Sequence, residues 1–185
     1  PGNYRIEMIG SDLRLSTELI IEADPRSSIS VEDMTANLKF ALGARDALQR
    51  AGKGIEWLRA AREQAQALHA RLGTSRKTIS TAAQAVIDDA DRIEGLLHNP
   101  EAKVVYDILR GPKGAQLYSQ LAPLYTWAQS SDHAPTAAMH TRFNELEAQL
   151  REREAAIAGM QAGSVAALEA AVTQAALPRL ILPER

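Results

Sequence analysis

The sequence predicts a mainly α fold: an up-and-down bundle of four long helices preceded by a β-hairpin that ends a truncated β-domain. Three observations carry this. The stretch 136–176 places apolar residues at Met139, Phe143, Leu146, Leu150, Ile157 and Met160, then at Val165, Leu168 and Val172. The steps are helical, with one slip near Gly163, and about 40 residues of helix reach roughly 60 Å. A helix of that length cannot bury its stripe alone, so the rest of the chain must supply partners. Aromatics make up 4% of the residues while alanine is abundant, which suits closely packed helices. Near the start, two short segments alternate with the period of a strand.

In the first of these, Tyr4, Ile6 and Met8 point one way and Arg5 and Glu7 the other. In the second, Leu15, Thr17, Leu19 and Ile21 share a face, and Gly10-Ser11-Asp12 supplies the turn. A lone two-stranded hairpin is marginal in water. It leans on the helices or forms the last two strands of a sheet begun before Pro1, and the second reading is preferred. The opening Pro1-Gly2 lacks an initiator Met, so a cut or processed chain is expected. Asp24-Pro25-Arg26 closes the strand, because proline cannot continue a ladder. The division expected is 1–26 for the hairpin and 27–185 for the helical bundle.

Ser30 is a suitable N-cap, with Asp33 near the positive helix end. Apolar or small residues follow at Val31, Met34, Leu38, Ala41 and Leu48, and the stripe resumes at Leu58, Ala61, Ala65, Leu68 and Leu72. Gly52 and Gly54 interrupt it, at about 1 kcal/mol each in a helix. One bent helix over 31–72 is preferred to two helices hinged at 52–54, since no proline or turn residue accompanies the glycines. A polar turn over 73–77 leads to Ile79, Ala83, Val86, Ala90, Ile93 and Leu97, a heptad-like series that stops at Asn99-Pro100.

Residues 98–114 read as irregular or weakly helical, with Val104, Val105, Tyr106, Ile108 and Leu109 packing on the bundle and Gly111-Pro112-Lys113-Gly114 as a turn. A fourth segment over 115–130 turns Leu117, Leu121 and Leu124 inward and contains Pro123, which should kink it. Leu177-Pro178 ends the last helix, and the tail pins Leu180, Ile181 and Leu182.

The formal net charge is −2, so no basic surface marks a nucleic-acid partner. Without cysteine there are no disulfides, thiol catalysis or Cys-ligated metals. No run of 18 apolar residues exists, so no membrane span is expected. His69, His98, His133 and His140 lack the spacing of a helical metal pair. Asp88, Asp89 and Asp91 form the tightest acidic cluster, but no Glu-x-x-His accompanies it, and a solvated face beside Arg92 is expected. Glu145, Glu147, Arg151, Glu152, Arg153 and Glu154 read as an exposed face with an i, i+4 pair from Glu147 to Arg151. Gly111-Pro112-Lys113-Gly114 lacks the spacing of a phosphate loop. No catalytic, cofactor-binding or metal residue is therefore assigned. Among Trp57, Tyr118, Tyr125 and Trp127, packing is the ordinary role, and Tyr125 and Trp127 near Pro123 are the candidates for a partner surface.

Several segments carry a family resemblance: Gly2-Asn3-Tyr4-Arg5-Ile6, the strand 19–25 with Asp24-Pro25-Arg26, the helix 31–48, Leu58-Arg59-Ala60-Ala61-Arg62-Glu63-Gln64, and Ala134-Pro135-Thr136. Together they resemble the C-terminal region of large bacterial proteins with sortilin-like BNR-repeat β-propellers, commonly labelled glycosyl hydrolases or exo-sialidase-like. The resemblance implies a propeller and small β-domain before Pro1, with this chain as a non-catalytic C-terminal helical module that stabilises, positions or assembles them. Catalytic residues would lie in the preceding part, and none carries over. The partners implied are the propeller and β-domain of the same parent chain, and the location is the periplasm or cell surface. The alternative is a free-standing helical scaffold that binds a partner protein or forms a homo-oligomer.

Overall fold

A computed structural model describes residues 1–72, 76–102, 104 and 114–183. The hairpin comes first, with β1 (Gly2–Ile9) antiparallel to β2 (Arg14–Ile21). Four helical rods follow: α1 (Val31–Leu72), α2 (Lys77–Leu97), α3 (Leu117–Gln129), and a last rod made of α4 (Ala137–Met160), a π turn (Gln161–Val165) and α5 (Ala166–Gln174). A mainly helical chain opening with a β-hairpin is what the periodicities predicted.

Helix α1 is continuous through both glycines and about 63 Å long. Its start is capped as expected, the Ser30 hydroxyl accepting from the Asp33 amide at 3.0 Å. Helix α2 runs antiparallel to the second half of α1, pairing Arg59 with Glu94, Arg62 with Asp91 and His69 with Ser80. Helix α3 lies against the first half, where the Asn37 amide donates to the Ala128 and Ser131 carbonyls at 2.8 and 2.6 Å and closes the end of α3. Thus α2 and α3 lie one after the other along α1. The last rod runs beside them parallel to α1, from Phe143 against Phe40 to Arg76 bound to the Ala175 carbonyl.

The first half of α1 corrects the expected stripe. Leu38 is 59% exposed and Val31 51%, whereas Phe40, Ala44, Ala47 and Ala51 are buried. The buried face then continues through Ile55, Leu58, Ala61, Ala65 and Leu68 in steps of three and four. Small residues go inward because they let neighbouring helix backbones approach. Gly54 shows the limit: a Cβ there would meet Ile157 Cδ1 at 3.0 Å, while one at Gly52 would meet nothing within 4 Å. The predicted series on α2 is buried throughout, from Ile79 to Leu97.

The slip read near Gly163 is the π turn. Met160 and Val165 are both buried although five residues apart, and the wide turn absorbs the extra residue so that Leu168 and Val172 stay on the inner face. Ser164 in this turn donates to Asp89 Oδ2 on α2 at 2.8 Å. The rod ends with Ala176 at φ 54° and the Leu177 amide donating to the Val172 carbonyl, a left-handed stop usually given to glycine. In the tail, Leu180 and Leu182 pack on the core, while the Ile181 side chain is 85% exposed and its backbone is held by both amide atoms of Gln64. Of the expected packing residues in the 98–114 connection, Val104 is half-buried. Val105, Tyr106, Ile108, Leu109 and the turn 111–113 lie outside the described residues, as does most of the turn 73–77.

Two predictions follow from these helices. Gly52→Ala should stabilise the protein by roughly 0.5–1 kcal/mol in urea unfolding, while Gly54→Ala should gain nothing or lose stability, since its Cβ crowds Ile157. Deleting Gly163 should convert the π turn to α-helix at little cost, below about 1 kcal/mol, because the stripe keeps its phase. Deleting Ala155 instead should rotate the stripe between Leu150 and Ile157 and cost several times more, on the order of 3 kcal/mol.

Candidate interaction surface

The hairpin register places Tyr4 opposite Leu19, Ile6 opposite Thr17 and Met8 opposite Leu15. Cross-strand partners share a face, so these residues with Ile21 form one apolar surface. The other face carries Arg5, Glu7, Arg14 and Glu18 with Asn3 and Ser16, and an isoleucine, Ile9 or Ile20, near each end. Glu7 is held there by Arg5, and by Arg14 at 3.4 Å. One face is thus mostly polar and charged and the other almost wholly apolar, yet every residue of both strands is exposed. The linker to α1 is folded tightly: Arg26 binds the Asp24 carboxylate through its backbone amide, Nε and a terminal nitrogen, at 2.9, 3.0 and 2.7 Å. The Arg26 hydrogen bonds hold the Asp24 carboxyl below its usual range.

A second apolar surface lies between α1 and α3. A groove of about 280 Å³ is lined by Met34, Leu38, Leu42 and Tyr125, with Asn37 and Arg45 among its polar walls. The structure separates the two candidates read from the sequence. Tyr125 lines this groove. Trp127, 54% exposed, does not, because two residues turn the helix by about 200°. It shares a face with Gln120, which Arg142 of α4 contacts. Sequence reasoning missed Leu38 and Leu42 as surface residues. The available signal was that α1 carries two apolar stripes in its first half, and a helix against one neighbour buries only one.

The acidic cluster on α2 is divided among four partners rather than gathered. Asp88 accepts from Gln84, Asp91 binds Arg62, and Asp89 binds Arg92 and Ser164. The Arg92 and Ser164 contacts lower the Asp89 pKa, Arg92 contributing most. The charged face of α4 is also more than a solvated surface. Arg50 of α1 binds Glu154 at 2.8 and 2.9 Å and Glu147 at 2.8 Å. Hydrogen bonding to Glu154 first, then to Glu147, raises the Arg50 pKa. The expected Glu147–Arg151 pair exists at 3.4 Å, but Glu147 is 15% exposed and its main partner is on another helix. Across α1 and α2, buried Glu94 receives Arg59 and Arg62, both at 2.6 Å. These pairs fasten α1 to α4 and α1 to α2.

The histidines are dispersed. His69 meets Ser80, His140 packs edge-on against Phe40 at 5.2 Å, and His98 does the same against Tyr118 at 6.3 Å. Among the described residues, no group of three or more His, Asp or Glu could hold a metal ion. By length and composition the rod Ala137–Gln174 would suit a membrane span, with mean hydropathy 1.4 in its most apolar window. Its bulky residues Ile157, Met160, Val165, Leu168 and Val172 face the bundle, and alanine and glycine occupy much of the outside. No protein-family model matches the chain, and no curated protein or solved structure matches it.

The two tryptophans report on these surfaces. Trp57 is 1% exposed and Trp127 54%. Acrylamide should quench the emission in two populations, and Trp127→Phe should leave only blue-shifted, poorly quenched fluorescence without changing the unfolding midpoint.

Proposed function

We propose that the chain is a non-catalytic assembly module, the C-terminal helical part of a larger exported propeller protein of the BNR, sortilin-like kind. In this reading the hairpin completes the β-domain of the parent chain, and the bundle positions or stabilises the propeller. The observation that carries it is the bare apolar face of Tyr4, Ile6, Met8, Leu15, Leu19 and Ile21 on a hairpin whose opposite face is charged. A sheet face patterned in this way is an inner face, and two strands alone do not hold it together. The dispersal of the histidines and carboxylates into packing and ion-pair roles supports the absence of catalysis from these residues. The resemblance carried by the segment 19–26 with its Asp24-Pro25-Arg26 supports the parent family and an extracytoplasmic location.

A second reading is a free-standing scaffold that associates with itself. It is favoured by the unguarded strand edges: neither strand contains proline, lysine or a bulge, and the apolar face bears no charge. The intact mass of the native protein, read with the coding sequence upstream of Pro1, separates the two. The module reading expects a chain several hundred residues longer with propeller repeats. A native chain starting near Pro1 would overturn it.

A further inference from the structure

The free edge of β1 is complementary to itself. We propose that this chain forms a symmetric dimer in which β1 pairs antiparallel with β1 of a second copy, with the two-fold axis at Ile6. The inference deepens the self-associating reading and rests on it.

Register decides which edges can pair. Side chains directly opposite in an antiparallel pair share a face, so a slip of one residue sets an apolar face against a charged one. Only registers that place each residue opposite one of the same parity keep Tyr4, Ile6 and Met8 together. Centring the pair on residue 5 would set Arg5 against the partner's Arg5, and centring it on residue 7 would set Glu7 against the partner's Glu7. Centring it on Ile6 sets Arg5 against the partner's Glu7, Tyr4 against the partner's Met8, and Ile6 against itself. Charges of opposite sign meet on the wet face, an aromatic meets a thioether on the apolar face, and like charges never oppose.

The outer edge of β2 is a poorer match. Centred on Ser16 it sets Arg14 opposite the partner's Glu18 but overlaps only over residues 14–18. Centred on Thr17 it overlaps over 14–20 but sets Arg14 against the partner's Ile20 and Glu18 against the partner's Ser16, so no opposite charges meet. The β1 register overlaps over residues 3–9. Pairing β1 with β2 of another copy would leave edges open at both ends and continue into a fibre, whereas β1 with β1 closes on a two-fold. The product is a four-stranded sheet in the order β2–β1–β1–β2, which has the strand number an independent sheet needs. The hairpin is free to do this, because all of its residues are exposed. A strand preceding Pro1 in a longer parent would occupy the same edge, so the two occupants exclude one another.

The absence of cysteine makes the register directly readable by cross-linking of the 185-residue chain. Opposite residues in an antiparallel pair stand about 4.5–5.5 Å apart at Cα, within disulfide range. Under mild oxidation Ile6→Cys should give a covalent dimer. Tyr4→Cys and Met8→Cys should each stay monomeric alone and give the dimer only when mixed. Thr17→Cys, on the same face but on β2, is the control and should not cross-link. Circular dichroism of all four should match the parent chain, since every residue of both strands is exposed. Sedimentation equilibrium of the unsubstituted chain should return twice the monomer mass. A monomeric unsubstituted chain, an Ile6→Cys variant that cross-links no faster than Thr17→Cys, or equal cross-linking of all the variants would each overturn the pairing. These outcomes are separate from the native mass, which alone decides the propeller reading.

Discussion

Close approach of helices along the inner face of α1 is the constraint on which the rest of the bundle depends. Ala44, Ala61 and Ala65 are fully excluded from solvent, and Ala83 and Ala90 of α2 are equally buried. With so few aromatics, the core cannot be filled by large side chains alone. It is filled by drawing helix backbones together over alanine and inserting leucine and isoleucine between them. Among the described residues, Trp57 is the one large aromatic ring in the fully buried set. Gly54 belongs to the same design, since the space a Cβ would need there is taken by Ile157 of α4.

Charge is laid over this apolar frame in a consistent way. Arg50 joins α1 to α4, Arg59 and Arg62 join α1 to α2, and Asp89 with Ser164 joins α2 to the π turn. Exposed ion pairs contribute little to stability. These pairs instead sit at the edges of helix contacts, where their geometry fixes which residue of one helix faces which of the next. An alanine face alone would tolerate sliding, because alanines are nearly interchangeable. The arginine–carboxylate contacts remove that freedom.

Much of the architecture was legible in the sequence because period and capping are local. The Ile79-to-Leu97 series, the Ser30 cap, the hairpin alternation and the slip near Gly163 all depend on residues within a few positions of one another. What was not legible depends on distant partners. The Phe40–Ala44 stripe is buried rather than the Leu38 stripe because Phe40 meets His140 and Phe143 of α4, about a hundred residues on. Glu147 looked like half of a surface pair with Arg151, because the competing Arg50 lies far back in the chain. Tyr125 and Trp127 looked like one surface because they are close in sequence, although helical rotation parts them.

The end-to-end placement of α2 and α3 has a consequence for how the molecule comes apart. Each short helix covers one half of the bundle, and only α1 and the last rod span both. Were α1 broken at its glycines, the halves could open as separate cooperative units, each with its own local stability. An unbroken α1 binds their fates together. Fraying that begins around α3 must propagate along a helix still anchored by α2, so the two halves are coupled into a single unfolding unit by one uninterrupted backbone.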